Sequence, residues 1–162
     1  MQFEPTSSKM TVLILNIIQG AIIIGALIFS VVILNLNIGK PQPPWNMFEI
    51  LGLVVGGVTL VLSVVVPSLI RQSPIKTLPV DENEHKYFQF FQSSMIVKYA
   101  LLEGGIMANL VMNISPSTTT LGMIGVLFLA LICSVATTGQ LEKYLLDARE
   151  EQQLNQFTNL NQ

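Results

Sequence analysis

Met95-Ile-Val-Lys-Tyr-Ala-Leu-Leu-Glu-Gly-Gly-Ile-Met-Ala-Asn-Leu-Val-Met112 is an apolar helical run with a lysine, Lys98, and a glutamate, Glu103, near its middle. A charge placed inside a bilayer costs a few kcal/mol even on insertion scales, so an acid in such a run marks a candidate site. Three other apolar stretches surround it, at 10–36, 47–70 and 121–146. Each is long enough to cross a hydrocarbon core of about 30 Å, which takes roughly 20 helical residues. With the central run extended to 87–113, the chain reads as an all-α, four-transmembrane-helix bundle. Residues 1–151 form the membrane domain, the end of the fourth helix protrudes as a cytoplasmic helical extension, and 152–162 is a polar C-terminal tail.

Composition agrees. Of 162 residues, 51% are hydrophobic and 11% charged, where a soluble domain carries about 25% charged residues. The mean hydropathy is +0.59. A net charge of −2 leaves no basic excess for nucleic acid. Cys133 is the single cysteine, and there is neither a CxxC pair nor a histidine cluster, so no cofactor or metal is expected. No nucleophile–base pair or oxyanion constellation is visible either, and the chain does not read as an enzyme.

Charge sets the expected topology. With four spans, Lys9, Arg71, Lys76, Lys86, Lys143 and Arg149 share one side with both termini, and only Lys40 lies on the other. Excess Lys and Arg mark the cytoplasmic side. The proline-rich turn at 37–46, with Trp45 at headgroup level, and the turn at 115–120 then face outward.

Small and polar residues predict how the helices meet. Asn16, Gln19, Gly20 and Ser30 fall on one face of the first span, which should look at protein because an amide in hydrocarbon needs a partner. Gly52, Gly56, Thr59, Ser63 and Pro67 form a stripe along the second, and Gly52 and Gly56 make a GxxxG. Residues this small let a neighbouring helix approach closely. Gly104 and Gly105 do the same beside Glu103. The fourth span has a small-residue face at Gly122, Ala130, Cys133 and Thr137.

Lys98 and Glu103 are five residues apart, about 140° around a helix, and cannot pair within it. Tyr99 stands one turn before Glu103, within reach of its carboxylate, while Asn109 lies on the lysine side. Polar groups on two faces predict a central helix covered by protein on both sides. Lys98 can also snorkel, being about 7 Å nearer the cytoplasmic headgroups than Glu103. Glu103, Lys98, Tyr99, Asn109, Asn16 and Gln19 are therefore the candidate ion, proton or interhelical polar site.

The run Tyr99-Ala-Leu-Leu-Glu-Gly-Gly-Ile-Met-Ala-Asn-Leu-Val resembles the Ala-Leu-x-Glu-Gly signature of small, uncharacterised four-helix inner-membrane proteins of bacteria. The resemblance implies a bacterial inner membrane and no established activity. The same helix is similar to the proton-carrying helix of rotary ATP synthase proteolipids, without that helix's Gly-rich repeat and with Lys98 added. The function expected is a non-catalytic, accessory membrane subunit in contact with lipid and with copies of itself or other subunits. The alternative is an ion- or proton-translocating subunit that uses Glu103.

Overall fold

A computed structural model describes residues 5–36, 47–75, 80–112 and 118–160. Among them all regular structure is helical: α1 (Pro5–Leu36), α2 (Met47–Ile75), α3 (Val80–Met112), α4 (Thr118–Ile132) and α5 (Thr138–Leu160). The turn at 37–46 with Trp45, the linker around Lys76 and the start of the 115–120 turn lie outside the described residues. Thr118, Thr119 and Thr120 already belong to α4.

Among the described residues, three helices are long and apolar enough to cross a membrane: Ser8–Leu36, Met47–Pro74 and Glu84–Met112. α3 is the hub. It packs on α2, α1, α4 and α5, whereas among the described residues α1 and α2 share no packing contact. Its buried stripe, Met95, Tyr99, Leu102, Ile106 and Leu110, recurs at the three- and four-residue spacing of one helix face. α1 buries Val12, Leu15, Gln19, Ala26 and Ser30 on the same kind of stripe and leaves its other faces aliphatic and exposed.

α2 is patterned inside out. Its buried positions are Glu49, Gly52, Gly56, Ser63, Pro67 and Pro74, while Val54, Val58, Val61, Val64 and Leu69 are exposed. A helix in water hides its aliphatics, but one in lipid hides the small residues that let backbones come close. At Gly105 the approach is closest: a Cβ there would run into Thr59 Oγ1 of α2 and lie 3.3 Å from Leu127 of α4. The Thr59 hydroxyl is held at 3.0 Å by the carbonyl of Gly56, and a β-branched side chain has few rotamers to escape into. A Cβ on Gly56 would stand 2.6 Å from Met123 and 3.1 Å from the amide of Asn109.

The apolar stretch 121–146 reads as one span, and the structure makes it two helices. α4 stops at Ile132, and the chain is non-helical from Cys133 to Thr137 before α5 begins. At fifteen residues α4 is about 22 Å long, short of a full crossing. The break does not reverse the chain. α4 lies along the C-terminal half of α3, and α5 continues antiparallel along its N-terminal half, where Tyr144 stacks on Phe91 and Tyr87. No proline forces the interruption. Ser134, Val135, Thr137 and Thr138 are weak helix formers, and Thr137 caps α5 by accepting a hydrogen bond from the Gln140 amide at 3.2 Å. α5 remains helical to Leu160, through most of the polar tail, and Gln152 ties it back to the Tyr87 hydroxyl at 3.0 Å.

Two neighbouring glycines should respond oppositely to one methyl group. Gly105→Ala overpacks the α2–α3 contact and should cost about 1–3 kcal/mol. Nothing lies within 4 Å of a Cβ on Gly104, so Gly104→Ala should be neutral or gain up to about 1 kcal/mol of helix propensity. Thermal unfolding of both variants in detergent decides it, and equal effects would contradict this packing.

Candidate functional site

Two buried polar side chains, Gln19 and Tyr99, reach the break between α4 and α5. Where a helix ends, its last carbonyls lose their intrahelical donors. Two side chains from other helices supply replacements. Gln19 on α1 donates its amide to the Leu131 carbonyl at 2.6 Å. Tyr99 on α3 donates its hydroxyl to the Ser134 carbonyl at 3.1 Å. The amides tighten as well, Ser134 N–H reaching the Leu131 carbonyl at 3.2 Å, and the Ser134 hydroxyl bonds back to Ala130 at 2.6 Å. The Gln19 and Tyr99 bonds fasten the break to α1 and α3, and both donors are buried.

The predicted polar residues thus divide into three places. Gln19 and Tyr99 meet at the break, and the Tyr99 hydroxyl goes to Ser134 rather than to Glu103. Asn109 is buried against α2 and α4, its amide donating to the Gly105 carbonyl at 2.9 Å. Asn16 is half-buried, and its Oδ1 has no hydrogen-bond partner among the described residues. Gly52, Gly56 and Gly105 are buried at helix contacts, whereas Gly104 is exposed.

Lys98 and Glu103 look different ways. Among the described residues neither makes a hydrogen bond or an ion pair. Glu103 is half-buried at the edge of the uncovered face of α3, beside exposed Ala100 and Gly104. Lys98 faces a cavity of about 600 Å³ between the C-terminal half of α2, α3 and the α4–α5 break.

Arg71, which the sequence presents only as a topology charge, organises one wall of that cavity. Its Nε donates to Ser94 at 2.8 Å and an Nη to the Met95 sulfur at 3.0 Å, with its guanidinium 4.8 Å over the Phe91 ring. Tyr144 on α5 donates its hydroxyl to the Arg71 carbonyl at 2.8 Å. Ser134, and the place of Arg71 and Lys143 at the cavity, escaped the sequence reading because their significance is tertiary. One signal was available: Thr137-Thr-Gly-Gln140 has the T-x-x-Q spacing of a helix start inside the fourth apolar run.

Among the described residues, no group of three or more His, Cys, Asp or Glu side chains comes together to hold a metal. No protein-family model matches the chain, and neither a curated protein nor a solved structure matches it.

Removing the capping hydroxyl should expose the cost of the break. Tyr99→Phe leaves the Ser134 carbonyl without that donor in apolar surroundings and should lose about 1–3 kcal/mol of stability. Gln19→Leu should lose less, about 0.5–1.5 kcal/mol, because the Ser134 amide still donates to the Leu131 carbonyl. Equilibrium unfolding in mixed micelles measures both, and a neutral Tyr99→Phe would mean that the hydroxyl does not support the break.

Proposed function

We propose that this chain is a non-catalytic integral membrane subunit that packs into a homo-oligomer or a larger membrane complex. In this reading α1, α2 and α3 cross the bilayer, both termini are cytoplasmic, and the broken α4–α5 element completes the fourth pass. A bacterial inner membrane fits the charge distribution and the Ala-Leu-x-Glu-Gly run.

The observation that carries the proposal is Glu103, an acid near the middle of an apolar helix with no hydrogen bond or ion pair among the described residues. Such a group calls for a partner, because an isolated carboxylate in hydrocarbon is strongly disfavoured. Around it α3 presents small residues outward: Ala100 and Gly104 are exposed four residues apart. Small residues at that spacing, with a polar group alongside, suit a second transmembrane helix that brings its own donor. The small face of α2 is already spent inside the chain against α3, so this face of α3 and the exposed Gly122 and Gly125 of α4 are the surfaces offered outward.

The same unpartnered carboxyl favours ion or proton carriage as the second reading. Two experiments separate them. Native mass spectrometry of the protein gently extracted from its own membranes should show a stoichiometric assembly, weakened by Gly104→Ile, which fills the open face. A bare monomer contradicts the assembly reading. In proteoliposomes, Glu103→Gln should leave proton flux at the wild-type level, and abolition of a wild-type flux would put translocation in its place.

A further inference from the structure

The cavity beside the break is a second feature, separate from Glu103. Arg71, Lys98 and Lys143 all line it, from α2, α3 and α5 respectively. Lys98 has no anionic partner among the described residues, and Arg71 lines the same cavity. Arg71 uses two of its five N–H donors on Ser94 and Met95, which leaves others for a ligand. Two cations held toward one cavity without a carboxylate bonded to either is an unfavourable arrangement that an anion would relieve.

The acids at this site do not supply that anion. Asp147 and Glu151 also line the cavity from α5, where, like Lys143, they are exposed, and among the described residues neither is bonded to Lys98 or Arg71. Lys98 and Arg71 are half-buried and lie deeper in the bundle. Polar Ser63 and Ser134 share the wall with aliphatic Val64 and Pro67 of α2. An occupant should therefore have an anionic head and tolerate an apolar flank.

We infer that this cavity binds a phosphate-bearing anion, with Lys98 and Arg71 holding the phosphate and Lys143 closing over it from α5. Basic pockets between transmembrane helices on the cytoplasmic side commonly take phosphate headgroups. The ligand chemistry is the same whether the phosphate arrives on a bilayer lipid or free in solution. The inference rests on the membrane reading only for the lipid source, and it is independent of what covers Glu103.

Native mass spectrometry of the full chain in detergent, titrated with phosphatidylglycerol or with diacylglycerol of the same acyl chains, tests it. Phosphatidylglycerol should bind one equivalent at least about tenfold more tightly than diacylglycerol, two cationic contacts being worth more than that in combination. Lys98→Gln and Lys143→Gln should each weaken it about fivefold, Lys98→Arg should restore it, and Lys9→Gln, remote from the cavity, should leave it unchanged. Displacement of the lipid by millimolar inorganic phosphate, lost in Lys98→Gln, assigns the site to a free anion; persistence of the lipid assigns it to a headgroup. Equal binding of the two lipids overturns the inference, as does wild-type binding by both glutamine variants. Lys143 is exposed on α5, so Lys143→Gln keeps the test valid should Lys98→Gln fail to fold.

Discussion

A backbone carbonyl among apolar side chains must find a donor, and in this protein that constraint falls on Leu131 and Ser134. Their helix stops at Ile132; Gln19 of α1 and the Ser134 amide donate to Leu131, and Tyr99 of α3 donates to Ser134 just beyond the helix end. In a bilayer such a break is tolerated only where protein surrounds it or water reaches it. Here the buried donors cover one side, and the cavity lined by Lys98 and Arg71 opens on the other. The central place of α3 follows, because it must satisfy the break, seat α2 and support α5 at once.

Close packing elsewhere serves the same arrangement. Gly105 lets α2 and α4 converge on α3, and Gly56 accommodates Met123 and Asn109. The α2 face that is small in sequence is buried in the structure, while its valines face outward. Lower down, Arg71 is fixed by Ser94, Phe91 and the hydroxyl of Tyr144, so α5 is tied to the end of α2 as well as to α3. The break and the anchored α5 together shape the cavity.

Much of this was legible in the residues. Apolar length revealed α1, α2 and α3, and the stripe from Gly52 to Pro67 revealed which side of α2 is buried. The buried Gln19 and Ser30 lie on the polar face of α1 that the helical wheel picks out. The break was not legible from hydropathy, since Cys133 to Thr137 contains no proline or charge and interrupts an apolar run without changing its character. Only Thr137 and Gln140 encode a new helix start. Nor did spacing reveal the fate of the Tyr99 hydroxyl: one turn of helix puts it beside Glu103, but a carbonyl lacking its helical donor competes for it across the α3–α4 contact. The role of Arg71 depends on four residues from two other helices and has no local signature.

The two charges of α3 illustrate how one helix can serve two surfaces. Lys98 turns to the cavity and Glu103 to the open face, and the 140° between them keeps about a third of the circumference for the buried stripe. The most direct test is the set of ¹³Cα secondary chemical shifts of residues 121–150 in the micelle-embedded protein. Helical values through Ile132 and again from Thr138, with non-helical values between and Tyr99→Phe perturbing Ser134, are the predicted result. Uninterrupted helical shifts across 133–137 would contradict the broken helix and the cavity built around it.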